Sequence, residues 1–171
     1  MKRLATGRLR RHEDHHDLVY SRIVPAATDR TWAALTDPDE TARWYGRWRG
    51  DGRPGGSVSI TMAHGAEQPA RITASSPELH LGLALVATDD EHAEPFGTTV
   101  DVYLRERDDG GTDVQLVHHR AEVDWLATLG PGWDYYLDLL VAHVAGDELA
   151  TWDAYYPSMR AYYETLADLE E

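Results

Sequence analysis

Residues 24–46 constrain the fold more than any other part of the chain. They hold the end of an apolar strand and then, without a linker, two short stretches with a helical pattern. Asp37 offers an N-cap side chain to the second stretch. Pro38 takes the first helical position, where a missing backbone N–H costs nothing. The segment therefore predicts two consecutive short helices, at about 28–36 and 38–45, directly after a strand.

Alternation of apolar and polar residues runs through much of the remaining chain. Residues 57–62 alternate Val, Ile and Met with Ser and Thr, which is typical of a strand with one buried face. Similar segments occupy residues 18–24, 69–75, 79–88, 97–107 and a return strand that ends at His118. Short turns join most of them, so the sequence predicts an antiparallel sheet of about six strands. The Gly- and Arg-rich residues 46–56 predict a loop.

A long amphipathic helix follows the last strand. Apolar residues recur at helical spacing over residues 133–144, and Gly146 ends the pattern. Asp134 and Asp138 are expected on the outer side of this helix. Because a sheet with one apolar face needs a cover, the helix predicts an α+β fold in which it packs on the sheet. The many aromatic residues of segment 152–163 predict a C-terminal tail that is docked on the protein and not free.

The same segments carry a family resemblance. The matching positions are 25–26, Trp32, 35–38, 43–46, 54–56 and 132–133. On these motifs the chain resembles the START-like SRPBCC (helix-grip) superfamily, and within it the bacterial relatives of the activator of the Hsp90 chaperone ATPase. The resemblance spans residues 17–165 and implies a curved antiparallel sheet wrapped on a long C-terminal helix. It also implies an extra aromatic C-terminal helix, at 152–163, packed on the outside. It makes 17–171 a single START-like domain, preceded by a basic, His-rich tail or edge strand at 1–16.

Charge and composition narrow the set of partners. The chain has 16 Lys and Arg against 30 Asp and Glu, a formal net charge of −14. Such an acidic surface repels phosphate backbones, so nucleic-acid binding is not expected. The sequence has no cysteine, which excludes disulfides and thiol chemistry. It also lacks an apolar run long enough to cross a bilayer and the apolar core of a secretory signal. We therefore expect a cytoplasmic protein without membrane insertion.

The resemblance implies a cavity between the long helix and the concave face of the sheet. A small hydrophobic or aromatic molecule would bind there to Trp44, Trp48, Ile60, Met62, Leu83, Val102, Leu116, His118, Trp133, Tyr136, Leu137 and Leu140. The alternative is a filled core, because the six tryptophans of the chain take up much space. No catalytic residue, metal ligand or cofactor is assigned.

His118 is the main polar candidate in this predicted cavity. It lies on a strand whose alternate residues are apolar, so its side chain is expected to point inward. A neutral imidazole there could act as a general base or anchor a ligand. No partner for a catalytic base is recognisable in the sequence, which favours a structural histidine held by hydrogen bonds.

A second histidine cluster lies near the N-terminus. His12, Glu13, His15 and His16 offer four potential metal ligands within five residues. They fall in a predicted turn, without the fixed spacing of known sites and without a distant further ligand. We expect adventitious metal binding at most.

Several arginines surround the mouth of the predicted cavity. They could clamp a carboxylate or phosphate, since guanidinium groups bind these anions bidentately. Salt bridges to the acidic surface are the favoured alternative for the group, which comprises Arg43, Arg47, Arg49 and Arg53.

Three functions compete on the sequence. The first is non-catalytic binding of a small hydrophobic molecule. The second is a protein-interaction module related to chaperone ATPase activators. Chaperone contact is not expected, because the chain lacks the separate chaperone-binding domain of the eukaryotic activators. The third is an enzyme similar to polyketide cyclases or aromatases. The aromatic tail and an edge strand also suggest a homodimer.

Overall fold

The computed structural model describes residues 3–63, 65–88 and 97–169. Within these ranges the strands are β1 (Arg8–Arg11), β2 (His16–Val24), β3 (Gly46–Gly50), β4 (Ser57–Met62), β5 (Glu67–Ser76), β6 (His80–Leu85), β7 (Thr98–Glu106) and β8 (Thr112–His118). The α-helices are α1 (Thr28–Thr36), α2 (Pro38–Thr41), α3 (Leu126–Ala145) and α4 (Arg160–Asp168). Short 3₁₀ turns precede α3 at Val123–Trp125 and α4 at Trp152–Ala154.

The strands form one antiparallel sheet in the order β1-β2-β8-β7-β6-β5-β4-β3. Strands β3 to β8 meander, and β2 joins the far side of β8, so α1 and α2 cross from one end of the sheet to the other. A register shift between Ile72 and Ala74 bends β5. Helix α3 covers the sheet, which confirms the predicted α+β fold. None of the helices in the described ranges has the length and apolar composition that a bilayer crossing requires.

The sheet has eight described strands where the sequence predicted about six. Strand β3 was expected to be part of a loop, yet it pairs with β4 from Gly46 opposite Met62 to Gly50 opposite Val58. It lies at one edge of the sheet and β1 at the other. Edge strands are commonly short and charged, and they bury few side chains, so neither shows the alternation that marks an inner strand.

The two short helices begin where the sequence predicted them. The Asp37 carboxylate caps α2 by accepting hydrogen bonds from two first-turn N–H groups, at 2.8 and 3.3 Å. Helix α2 ends at Thr41, however, and not near residue 45. The turn that follows carries Trp44 back onto α1, where its indole Nε1–H donates to the Ala34 carbonyl at 2.8 Å.

The expectation that Asp134 and Asp138 lie outside α3 is wrong. Asp134 is completely buried, with 0% of its surface exposed, and Asp138 is partly buried. The Asp134 carboxylate accepts hydrogen bonds from Thr6, Arg22 and Tyr163. The segment before β1 and helix α4 both cross this face of α3. They bury a helix face that its polar residues had predicted to be exposed.

Candidate ligand-binding cavity

A cavity of about 310 Å³ lies between the concave face of the sheet and the elements that cover it. Its floor consists of apolar side chains from β4 to β8, namely Val58, Ile60, Ile72, Leu81, Leu83, Leu85, Val100, Val102 and Leu116. Its wall is aromatic and comes from α1, the turn after α2, β3 and α3, with Trp32, Trp44, Tyr45, Trp48 and Trp133. The cavity is therefore a predominantly apolar space with a rigid aromatic wall.

Hydrogen bonds fix the aromatic rings of the wall. The indole N–H groups of Trp44 and Trp48 donate to carbonyl groups of α1, at 2.8 and 3.1 Å. Trp133 donates to His118 Nδ1 at 3.1 Å. The ring of Tyr45 stacks on that of Trp133, with centroids 6.1 Å apart and planes 9° apart. Because the three indole N–H groups are already bonded, the rings offer the cavity mainly their apolar surfaces.

The few polar side chains at the cavity are uncharged. Among the described residues that line it, none is an acid, a base or a histidine; the polar ones are Thr36, Thr41, Tyr45 and Ser75. The Thr36 hydroxyl donates to the Trp32 carbonyl at 2.8 Å, and the Thr41 hydroxyl donates to the Pro38 carbonyl at 3.2 Å. The described lining thus offers no counter-ion to a charged ligand, and burial of a neutral one carries little desolvation cost.

His118 lies behind the aromatic wall and outside the cavity. Its side chain is 2% exposed. Since Trp133 Nε1 can only donate, His118 Nδ1 accepts, and Nε2–H is left to donate to Thr98 Oγ1 at 3.2 Å. Burial lowers the pKa of His118 to about 4, helped by the neighbouring His119. A neutral imidazole with both nitrogens bonded is a structural support for Trp133.

The structure brings seven of the twelve predicted site residues to the cavity. These are Trp44, Trp48, Ile60, Leu83, Val102, Leu116 and Trp133. The other five are absent from its lining: Met62, Leu137 and Leu140 are core residues, Tyr136 packs edge-on against Tyr45 with ring centroids 4.8 Å apart, and His118 lies behind Trp133. Whether the seven contact a ligand remains a prediction.

The predicted site omitted two lining residues that the sequence pattern was sufficient to identify. Leu81 lies two positions before Leu83 on β6, and Val100 lies two positions before Val102 on β7. Alternate residues of a strand share one face, so each belongs to the same apolar row as a residue that was predicted. The period-2 pattern alone was enough to find them.

The arginines of the predicted clamp lie away from the cavity lining. Three of them form ion pairs with nearby acids: Arg47 with Asp39, Arg49 with Glu67 at 3.4 Å, and Arg53 with Asp51 at 2.8 Å. These contacts agree with the salt-bridge interpretation of the group.

A larger groove of about 1210 Å³ lies beside the N-terminal segment. It is wide and open, and its lining includes Arg22, Arg105 and Asp138. These charged groups are paired within the protein, for example Arg22 with Asp138 at 2.8 Å. Despite its smaller volume, the apolar cavity is the better candidate site, because its walls enclose a ligand and leave no charge to satisfy.

The sheet, the long covering helix and the cavity between them define a helix-grip protein of the START-like SRPBCC superfamily. The two short helices between β2 and β3 complete this arrangement. The family model described as "Activator of Hsp90 ATPase homolog 1-like protein" matches residues 25–145. The chain belongs to this family.

Solved structures share the fold at low sequence identity. The solution structure of CalU16 from Micromonospora echinospora is 20% identical, with 100% of both chains covered and a TM-score of 0.75. The Aha1 dimer from Colwellia psychrerythraea is 18% identical, covering 75% of this chain and 95% of that one, with a TM-score of 0.64. DynU16, from the dynemicin biosynthetic locus, is 18% identical, covering 79% of this chain and 49% of its own, with a TM-score of 0.66. No curated protein sequence matches significantly.

Proposed function

We propose that the protein binds a small, uncharged, hydrophobic or aromatic molecule in the cavity. The observation that carries this proposal is the combination of an apolar floor with a wall of five aromatic side chains. Planar rings favour offset-stacked or edge-to-face contacts with aromatic side chains, at about 0.5–1.5 kcal/mol per pair beyond area burial. A flat, apolar ring system matches such a wall better than a charged metabolite does.

The volume of the cavity limits the size of its ligand. Ligand pockets commonly span about 300–1,000 Å³, and about 310 Å³ lies at the lower end of that range. The space suits one or two fused rings, and the aromatic wall favours a flat ring system over an extended acyl chain. We therefore place the ligand among compact aromatic compounds. The fold neighbour DynU16 comes from the dynemicin biosynthetic locus, and small aromatic products of biosynthesis are the first compounds to test.

Native mass spectrometry of freshly purified protein tests the proposal directly. We expect a stoichiometric extra mass that disappears under denaturing conditions. Leu83→Trp places a large ring in the cavity lining and should abolish that mass. Leu79→Trp makes the same substitution at a residue that is exposed and outside the cavity lining, and it should retain the mass. Equal retention by both variants would move the binding site away from this cavity.

An enzyme of the cyclase or aromatase type is less well supported by the geometry. General acid–base catalysis needs a titratable group within hydrogen-bond reach of the substrate. Of the described lining residues only Tyr45 is titratable, and His118 is separated from the cavity by Trp133. An enzymatic function would replace simple binding if the bound compound is released in a chemically altered form and Tyr45→Phe stops that conversion.

Family membership makes an interaction module the second candidate. A protein of this kind would stimulate a chaperone ATPase through a surface contact. For this chain, however, we expect no stimulation. The test adds the protein to the host's Hsp90-type chaperone and follows ATP hydrolysis. Saturable stimulation that survives Leu83→Trp would favour the interaction function over ligand binding.

The family neighbour from Colwellia psychrerythraea is described as a dimer, and we propose that this chain also self-associates. Light scattering coupled to size exclusion distinguishes the 19.2 kDa monomer from a species of twice that mass. A mass that stays at the monomer value at high protein concentration contradicts self-association.

A further inference from the structure

Two histidines and a buried carboxylate converge at the turn between β1 and β2. His12 Nε2 lies 3.0 Å from one oxygen of Asp17, and His15 Nε2 lies 3.6 Å from the other. One ligand atom from each of the three residues lies within 4.8 Å of the other two. The two imidazole rings stack with centroids 4.3 Å apart and planes 6° apart, so one ring must turn before both Nε2 atoms can point at one ion. The His12 side chain is 38% exposed and has the room to turn. The cluster is outside the apolar cavity and has no role in the proposed ligand binding.

The hydrogen bonding of His15 leaves two acceptor atoms close together in this cluster. Asp14 lies 2.6 Å from His15 Nδ1, and a carboxylate can only accept there, so the proton of a neutral His15 is on Nδ1. The bare Nε2 then lies 3.6 Å from an Asp17 carboxylate oxygen, so two acceptor atoms are close together. A metal ion between them would satisfy both.

The distances suit a transition metal better than a hard cation. Zinc binds imidazole nitrogen and carboxylate oxygen at about 2.0–2.2 Å, so tetrahedral ligand atoms are about 3.4 Å apart. The two His–Asp separations, 3.0 Å to one carboxylate oxygen and 3.6 Å to the other, bracket this value. Ca²⁺ and Mg²⁺ prefer oxygen ligands, and two imidazoles argue against them. Asp14 on His15 Nδ1 also reproduces the outer carboxylate that orients many metal-bound histidines.

Groups from elsewhere in the chain hold the carboxylate in place. The side chain of Asp17 is only 2% exposed, and the backbone N–H of Arg120 donates to it at 3.2 Å. His119, which lies just after β8, is a distant further group that the sequence did not reveal: its Nδ1 is 3.4 Å from Asp17 Oδ2, the oxygen that also contacts His12. Arg10 also donates to this oxygen at 2.9 Å, and since half of its side chain is exposed it can turn to solvent when a metal binds.

We propose that His12, His15 and Asp17 form a binding site for a divalent transition-metal ion of the Zn²⁺ class. Asp14 orients His15, and His119 lies within reach of the same carboxylate. All three ligands lie in the β1–β2 turn or at the start of β2, and the Arg120 N–H ties Asp17 to the segment after β8. The effect of the metal is therefore structural: it fixes the turn that joins edge strand β1 to the sheet.

Isothermal titration of tag-free protein with ZnCl₂ at neutral pH tests the site. We expect one ion per chain. His12→Ala and His15→Ala should each weaken binding by at least ~10-fold, the lower end of what even an outer-sphere partner contributes. His143→Gln is the matched control, because His143 also contacts a carboxylate, Glu40 at 2.8 Å, but lies away from the cluster. It should change the affinity by less than about twofold.

Two further readouts separate a built site from surface binding. Zn²⁺ should raise the melting temperature of the wild type and of His143→Gln, but not that of His12→Ala or His15→Ala. Co²⁺ should give the intense visible absorption of a four-coordinate site only where both histidines are present. Circular dichroism checks folding, and His12→Gln or His15→Gln replaces an alanine variant that fails to fold. Binding of equal strength in all variants, or no saturable binding to the wild type, overturns the proposal.

Discussion

Replacing Asp134 by Asn should destabilise the protein far more than a substitution on an exposed helix face would, because Asp134 is buried. One carboxylate oxygen accepts from the Thr6 hydroxyl at 2.5 Å and from Arg22 at 2.8 Å, and the other accepts from the Thr6 N–H at 3.1 Å and the Tyr163 hydroxyl at 2.5 Å. An asparagine keeps one oxygen and presents an NH₂ group where the other was. The part-buried Thr6 N–H and the buried Tyr163 hydroxyl then face a donor in place of an acceptor.

The magnitude follows from these contacts. A buried donor left unsatisfied costs about 1–3 kcal/mol, and removing one member of a buried ion pair costs about 3–5 kcal/mol. Arg22 retains Asp138, which accepts from its Nε–H at 2.8 Å, so the loss should fall at the lower end. We expect Asp134→Asn to lower the free energy of unfolding by about 3 kcal/mol, which corresponds to a fall in melting temperature of about 6–12 °C for a domain of this size.

Chemical denaturation followed by circular dichroism measures this loss at neutral pH. Asp124→Asn is the matched control, because Asp124 lies in the short turn before α3 and is exposed. Its effect should stay within about 0.5 kcal/mol. If Asp134→Asn costs less than about 1 kcal/mol beyond this control, the buried network does not carry the energy argued for it.

Two further predictions concern α3 and the histidine behind the cavity wall. The pKa of His118 is about 4 in the fold against 6.5 in the unfolded chain, so the unfolded state binds more protons between these values. Stability should therefore fall by about 3 kcal/mol as the pH drops from 6.5 to 4, and His118→Gln should remove this contribution in pH-dependent denaturation. In α3, a Cβ at Gly130 would lie 2.3 Å from the buried Tyr163 ring, whereas one at Gly132 meets nothing within 4 Å. Gly130→Ala should lower the melting temperature through a cost of about 1–3 kcal/mol, and Gly132→Ala should raise it through better helix propensity; equal shifts would contradict the packing at Gly130.

Local signals in the sequence predicted the framework because the physics behind them is local. The Asp37 cap and Pro38 act within one helical turn, and α2 begins where they indicate. The alternation in residues 57–62 reflects burial of one face, and β4 spans those residues. Strand β3 was not predicted because it is defined by its pairing with β4. The residue pattern of β3 itself does not indicate a strand.

The parts of the site that could not be predicted depend on distant segments. Asp134 is separated from Thr6 by 128 residues and from Tyr163 by 29, so a helical pattern cannot show that they meet. The same holds for the choice between an open cavity and a filled core. Trp133 was expected at the cavity, but whether it fills or lines the space depends on His118 holding the indole from behind at 3.1 Å.

The meeting of residues 7 and 163 has a consequence for the order in which the protein folds. The Tyr163 hydroxyl accepts from the Gly7 N–H at 3.1 Å, and the Tyr162 hydroxyl donates to the Gly7 carbonyl at 2.8 Å. During synthesis the sheet and α3 leave the ribosome before α4 does, so the Asp134 carboxylate stays open to water until the last turns are translated. A premature stop in the segment before α4 would produce a domain that has the complete sheet but lacks the contacts of Tyr162 and Tyr163. We expect cellular quality control to recognise such a product.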